Sequence, residues 1–170
     1  ADSLERLARI YAVREDWALL YDVHERQKEN ATDELTRADL GAAMAQLAAN
    51  HLERPDDAID LWNEVLELRG EDMGALRALE LLYEQQEAWR ELVDVCARQV
   101  NLLDDEPERA LLLHTKLGQT WGDYLDRERN AIESWNQVLS IDPQNLPALW
   151  ALRNLYETAS EPVEIAKAIE

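Results

Sequence analysis

The 170-residue sequence carries 36 Asp and Glu against 17 Lys and Arg, a formal net charge of −19. Nucleic-acid binding rests on neutralising phosphates with basic side chains, so nucleic acids and anionic membrane surfaces are excluded as partners. With 46% apolar residues, six Trp and five Tyr, the chain can fill a core that a disordered acidic chain cannot, and five Gly with five Pro leave too few turns for a many-stranded sandwich or barrel.

Helices are therefore expected, and the apolar residues recur every three or four positions, as in Leu4, Leu7, Ile10 and Tyr11 or Leu149, Leu152, Leu155 and Tyr156. In chain order the pattern predicts helices near 2–12, 16–29, 35–51, 55–68, 72–86, 88–103, 106–125, 128–140, 145–158 and 161–170. Start signals support the breaks: Pro55 before Asp56 and Asp57, Glu106 with Pro107, Asn130, Pro143 and Pro147, and Pro162. Proline loses nothing in a first helical turn and acids there suit the helix dipole, so all five prolines are read as helix starts.

Sliding the chain by 72 aligns Leu4–Gln27 with Leu76–Gln99 at 10 identities in 24 positions, including Tyr11 with Tyr83, Trp17 with Trp89 and Asp22–Val23 with Asp94–Val95. A slide of 73 aligns AIDLWNEVL (58–66) with AIESWNQVL (131–139) at six identities in nine. Two kinds of unit alternate. The residue near the end of each unit's first helix falls at Tyr11, Ala48, Tyr83, Trp121 and Tyr156, spaced by 37, 35, 38 and 35.

The stretch AIESWNQVLSIDPQNLPALWALRNLY (131–156) resembles a tetratricopeptide repeat (TPR): Ala131 opens the second helix, Trp135 follows four later, and Pro143 closes the unit. Leu117, Gly118 and Trp121 fill the Leu, Gly and aromatic slots of the preceding first helix. Odd units depart from the family, with Leu20 and Leu92 where a small residue is usual and Glu80 and Arg153 replacing its glycine. The resemblance implies an all-α, right-handed α-α superhelix of about five helix-turn-helix repeats, near 1–34, 35–69, 70–105, 106–143 and 144–170, in one repeat domain. One helix pair cannot bury its apolar face alone, so neighbours share a continuous core. Neither Leu4, Leu7 and Ile10 nor Val163, Ile165 and Ile169 looks like a polar cap. Together with the absence of an initiator Met, this reads as a piece of a longer chain, or as a flank that forms homo-oligomers.

Trp17, Trp62, Trp89, Trp121 and Trp135 occupy structural slots and are read as core. The family's concave groove is lined by first helices, which here would present Glu5 and Arg9, then Ala42, Gln46 and Asn50, then Arg77 and Leu81, then Thr115 and Gln119, then Trp150 and Asn154. Trp150 either faces a ligand or packs on chain beyond the C-terminal end. The Lys and Asn clamp with which some family members grip a terminal carboxylate has no counterpart. Acids fall on second helices and connections, as in Asp56, Asp57, Asp60, Glu64 and Glu67 or Asp104, Asp105, Glu106 and Glu108. They read first as a solvated outer face, and more sharply as a surface steering a basic partner.

No catalytic constellation emerges. His24, His51 and His114 lie on different repeats without the close pairing of a zinc helix, and the acids around 104–108 lack the alternating ligands and glycine of a calcium loop. Cys96 has no neighbouring His, cannot close an intramolecular disulfide, and leans the compartment toward the cytoplasm without fixing it. No apolar run approaches the ~18 residues of a membrane span. The sequence therefore reads as a non-enzymatic scaffold, without cofactor or metal, holding a segment of a partner protein in its groove. The alternative is a self-assembling array that stacks through its repeat flanks.

Overall fold

A computed structural model describes the backbone of residues 2–169 and the side chains of residues 3–158. Nine α-helices run in the order α1 (Asp2–Arg14), α2 (Trp17–Asn30), α3 (Glu34–Asn50), α4 (Pro55–Arg69), α5 (Met73–Gln85), α6 (Trp89–Leu102), α7 (Pro107–Gln119), α8 (Glu128–Ile141) and α9 (Leu146–Ile169), and no strand occurs among the described residues. A π-helical turn, Thr120–Tyr124, extends α7. The chain divides into two compact units, Ala1–Gln86 and Glu87–Glu170, so the boundary falls between the two helices of the third predicted repeat.

In the first unit each helix packs on its sequence neighbour, α1 on α2, α2 on α3, α3 on α4 and α4 on α5. The core between α3 and α4 is made of small residues on one side, with Ala38, Ala45 and Ala48 fully buried, and larger ones on the other, Leu61, Trp62 and Val65. Small residues let the two backbones approach so that Trp62 is only 6% exposed. Asp33 accepts a hydrogen bond from the Thr36 backbone N–H at 2.8 Å and caps α3, and Asp72 does the same for Ala75 at the start of α5. Arg69 ties the end of α4 to Asp39 on α3 and to Asp72.

The second unit repeats the theme. Trp135, 5% exposed, joins Ala131, Val138, Ala148 and Leu152 in a core flanked by Trp121 and Leu155. The ring lies so close to Gly118 that a Cβ there would stand 2.7 Å from the Trp135 ring, whereas Gly41 has its nearest neighbour at 3.4 Å. Gln99 is fully buried and accepts a hydrogen bond from Arg109 at 2.8 Å. Cys96 on α6 is fully buried. Asn145 accepts from the Ala148 N–H at 3.1 Å and caps α9.

The two-repeat period governs the turns as well. Glu15 and Glu87, 72 apart, hold φ of 58° and 55°, and Glu53 and Asp126, 73 apart, hold 52° and 51°. Each sits in the turn between the two helices of a repeat, in the left-handed region that L residues other than Gly, Asn and Asp seldom occupy. The matching hydrogen bonds also recur, Arg54 N to Ala48 O at 2.9 Å and Arg127 N to Trp121 O at 2.8 Å. Inside a repeat glycine is thus not what turns the chain, whereas between repeats Gly70 ends α4 at a φ of 77°.

Three expectations are corrected. The tenth helix does not form separately, because α9 runs as one helix from Leu146 through Pro162 to Ile169. A proline inside a helix removes one backbone bond, here to Thr158 O, and commonly ends or kinks the helix, helices that continue through it being the exception. Pro162 is therefore not a helix start, and neither is Pro143, which lies in the turn before α9. The helix expected to reach residue 125 instead leaves the α form at Thr120. The expected C-terminal apolar flank, Val163, Ile165 and Ile169, lies outside the described side chains.

The glycine under the Trp135 ring carries a direct consequence. Gly118→Ala gains helix propensity but must displace an indole in a filled core, and should destabilise the fold by about 1–3 kcal/mol in urea titrations followed by circular dichroism.

Candidate partner-binding surface

In the first unit Glu5 and Arg9 on α1, Gln46 and Asn50 on α3, and Arg77 and Leu81 on α5 all stand on the surface, with Leu81 60% exposed. Ala42 is half-buried. Glu5 lines a cavity of about 650 Å³ with Leu4 of α1, Gln27 and Asn30 at the end of α2, Ala31, and Thr36, Asp39 and Leu40 of α3. Gln46 and Asn50 line a second cavity of about 230 Å³ with Leu20 and His24 of α2, Ala43 and Leu47 of α3, and His51. On α2 the lining residues Leu20, His24, Gln27 and Ala31 follow at helical spacing, as do Thr36, Leu40, Ala43, Leu47 and Asn50 on α3. The two cavities share no lining residue but follow one another along the same face of the α2–α3 pair, a crevice that carries three of the predicted site residues, Glu5, Gln46 and Asn50. Arg9, Arg77 and Leu81 do not line it.

In the second unit Thr115 is half-buried and its hydroxyl donates to the Leu111 carbonyl at 2.8 Å, whereas Gln119, Trp150 and Asn154 are exposed. Trp150 is 72% exposed and shares one side of α9 with Leu146 and Asn154 at four-residue spacing. Leu146 and Leu149 are exposed beside it, while Ala148 and Leu152 bury the opposite side. The half-buried His114 has its pKa lowered by desolvation.

A third cavity of the first unit is charged. A cavity of about 420 Å³ between α2, α3 and α4 holds Tyr21, Glu25, Lys28, Glu29, Arg37, Met44, Leu61 and Glu64. Glu64 is paired with Lys28 and lies 4.0 Å from Arg37, so those charges are largely compensated within the cavity. The Tyr21 phenol is pushed up, first by burial and then by Asp57 and Glu25, and Arg54 lies 5.9 Å over its ring.

Two aromatic contacts escaped the reading of Trp17 and Trp89 as plain core. Trp17 stacks on His51 with ring centroids 4.1 Å apart, and Trp89 stacks on Tyr124 at 3.9 Å, with interplanar angles of 18° and 16°. Each joins the opening of one repeat's second helix to the end of the next repeat's first helix, a contact worth about 0.5–1.5 kcal/mol beyond area burial. The slides already contained it, since Trp17 aligns with Trp89 at 72 and His51 with Tyr124 at 73. No group of three or more His, Cys, Asp or Glu able to hold a metal occurs among the described residues. No helix among them is long and apolar enough to cross a membrane.

No family model matches the chain, and no curated protein matches it in sequence. Solved structures do match in fold. MamA is 16% identical with a TM-score of 0.58, over 95% of this chain and 89% of MamA. YrrB, described as a TPR protein with an unusual peptide-binding site, is 20% identical with a TM-score of 0.53, over 86% of this chain and 71% of YrrB. The C-terminal part of a TPR repeat-containing protein from Cytophaga hutchinsonii is 16% identical with a TM-score of 0.55, over 89% of this chain and 59% of that one. The chain has the all-α helical-repeat fold of TPR proteins.

Burial of His114 sets a pH dependence. Its folded pKa lies below the ordinary 6.5, so the unfolded chain takes up the proton first, and stability falls as pH drops through about 6.5 toward the folded value. His114→Gln should flatten the change in urea midpoint between pH 7.5 and 5.5.

Proposed function

We propose that this chain is a non-enzymatic protein-interaction scaffold that holds a segment of a partner protein along its first helices. The observation that carries the reading is the crevice along α2 and α3, flanked at its wide end by α1, where Glu5, Gln46 and Asn50 border an apolar floor of Leu20, Leu40 and Leu47. Clefts of this size with apolar lining and a few polar groups are the usual form of a binding site. The exposed Trp150 with Asn154 supplies an aromatic anchor of the kind that dominates binding energy at interfaces. Similarity in fold to YrrB, with its peptide-binding site, supports the same reading.

The self-assembling alternative draws on α1. Leu7, Ile10 and Val13 are 38%, 48% and 85% exposed, an apolar row that a second copy could cover. Light scattering over a concentration range separates the two, since a chain that stays monomeric removes the array.

For the scaffold, Gln46→Ala with Asn50→Ala should weaken capture of a partner segment at the crevice of the first unit, and Trp150→Ala capture at α9 of the second, each while shifting the thermal melt by only a few degrees. Capture is read by isothermal titration and the melt by circular dichroism. Unchanged affinity in all of them removes the groove.

A further inference from the structure

The lining of the crevice in the first unit says more than that something binds there. From Thr36 to Asn50 on α3 it runs for ~21 Å at the helical rise, the length of ~6 residues of extended chain. Its floor is apolar. Its titratable lining groups are Glu5 and Asp39 at the wide end and His24 and His51 at the narrow end, and no Lys or Arg lines either cavity. Asp39 is paired with Arg69, which leaves Glu5 as the carboxylate at the mouth.

Besides Thr36 and these titratable groups, the polar groups along the crevice are side-chain amides. Asn30 donates to the Arg26 carbonyl and Gln27 is bonded to His24, while Gln46 and Asn50 stand exposed further along α3. Amides both donate and accept, which suits the N–H and C=O groups of extended backbone. A helical ligand satisfies those groups internally and would leave the amides idle.

Resting on the scaffold reading, the geometry points to a specific occupant: an extended segment of about six residues from a basic partner, with an apolar side chain in the wide cavity and a Lys or Arg beside Glu5. A second copy of this chain is the wrong occupant, because each copy brings 19 net negative charges to an acidic mouth.

The test is selection of a phage-displayed random heptapeptide library on the immobilised full chain, followed by fluorescence anisotropy with the enriched peptides. The enriched sequences should combine an apolar residue with Lys or Arg. Glu5→Lys should weaken them about tenfold, and Gln46→Trp, which fills the narrow cavity, by a similar factor. Glu133→Lys on α8 makes the same charge change in the second unit, and should alter affinity less than about twofold. Equal losses in Glu5→Lys and Glu133→Lys would assign the attraction to the overall field of an acidic chain and overturn the crevice. Enriched peptides without basic residues, or indifferent to both crevice variants, also overturn it, while leaving a peptide scaffold standing. A library that yields no binder removes both.

Discussion

The fold depends on the fit between an indole and the backbone beside it. Trp62 and Trp135 open the same slot in second helices 73 residues apart, and both are almost completely buried. Such a large flat side chain seals only where the facing helix is narrow. In the second unit Gly118 supplies that, with the ring directly over the missing Cβ, and in the first unit the 73-residue period puts the fully buried Ala45 at the matching position of α3, the helix packed on α4. Close approach of the helices then fixes the crossing of each pair, and with it the faces left for neighbours and for solvent.

Between the helices of a repeat the chain reverses with acidic residues in the left-handed conformation at Glu15, Glu53, Glu87 and Asp126. This costs more than glycine at each turn, yet an ordinary side chain restricts the unfolded chain and presents charge at an exposed corner. The aromatic stacks, Trp17 on His51 and Trp89 on Tyr124, lie immediately beyond these turns. Turn and stack together set the angle at which one repeat meets the next inside each unit.

Most of this was legible in the sequence because two slides, 72 and 73, expose the equivalences without any partner sequence. Helix type, the buried Trp62 and Trp135, the exposed Trp150 and the breaks before Pro55 and Pro107 all follow from spacing and cap chemistry. The misses share a cause. Ser160 and Pro162 carry the pattern of a helix start although α9 runs through both, and the π turn at Thr120–Tyr124 is not marked by any break in the apolar period. The crevice was legible only as a set of candidates. Spacing places Glu5, Gln46 and Asn50 on first helices, but α2's contribution of Leu20, His24 and Gln27 depends on how α2 packs against α3, which no periodicity encodes.

The lone thiol has a use unrelated to any partner. Cys96 is sealed inside α6 with no exposed surface, so a thiol reagent can reach it only through transient opening. With no second cysteine to confuse the signal, the rate of its modification is a built-in clock for the breathing of the helices around it.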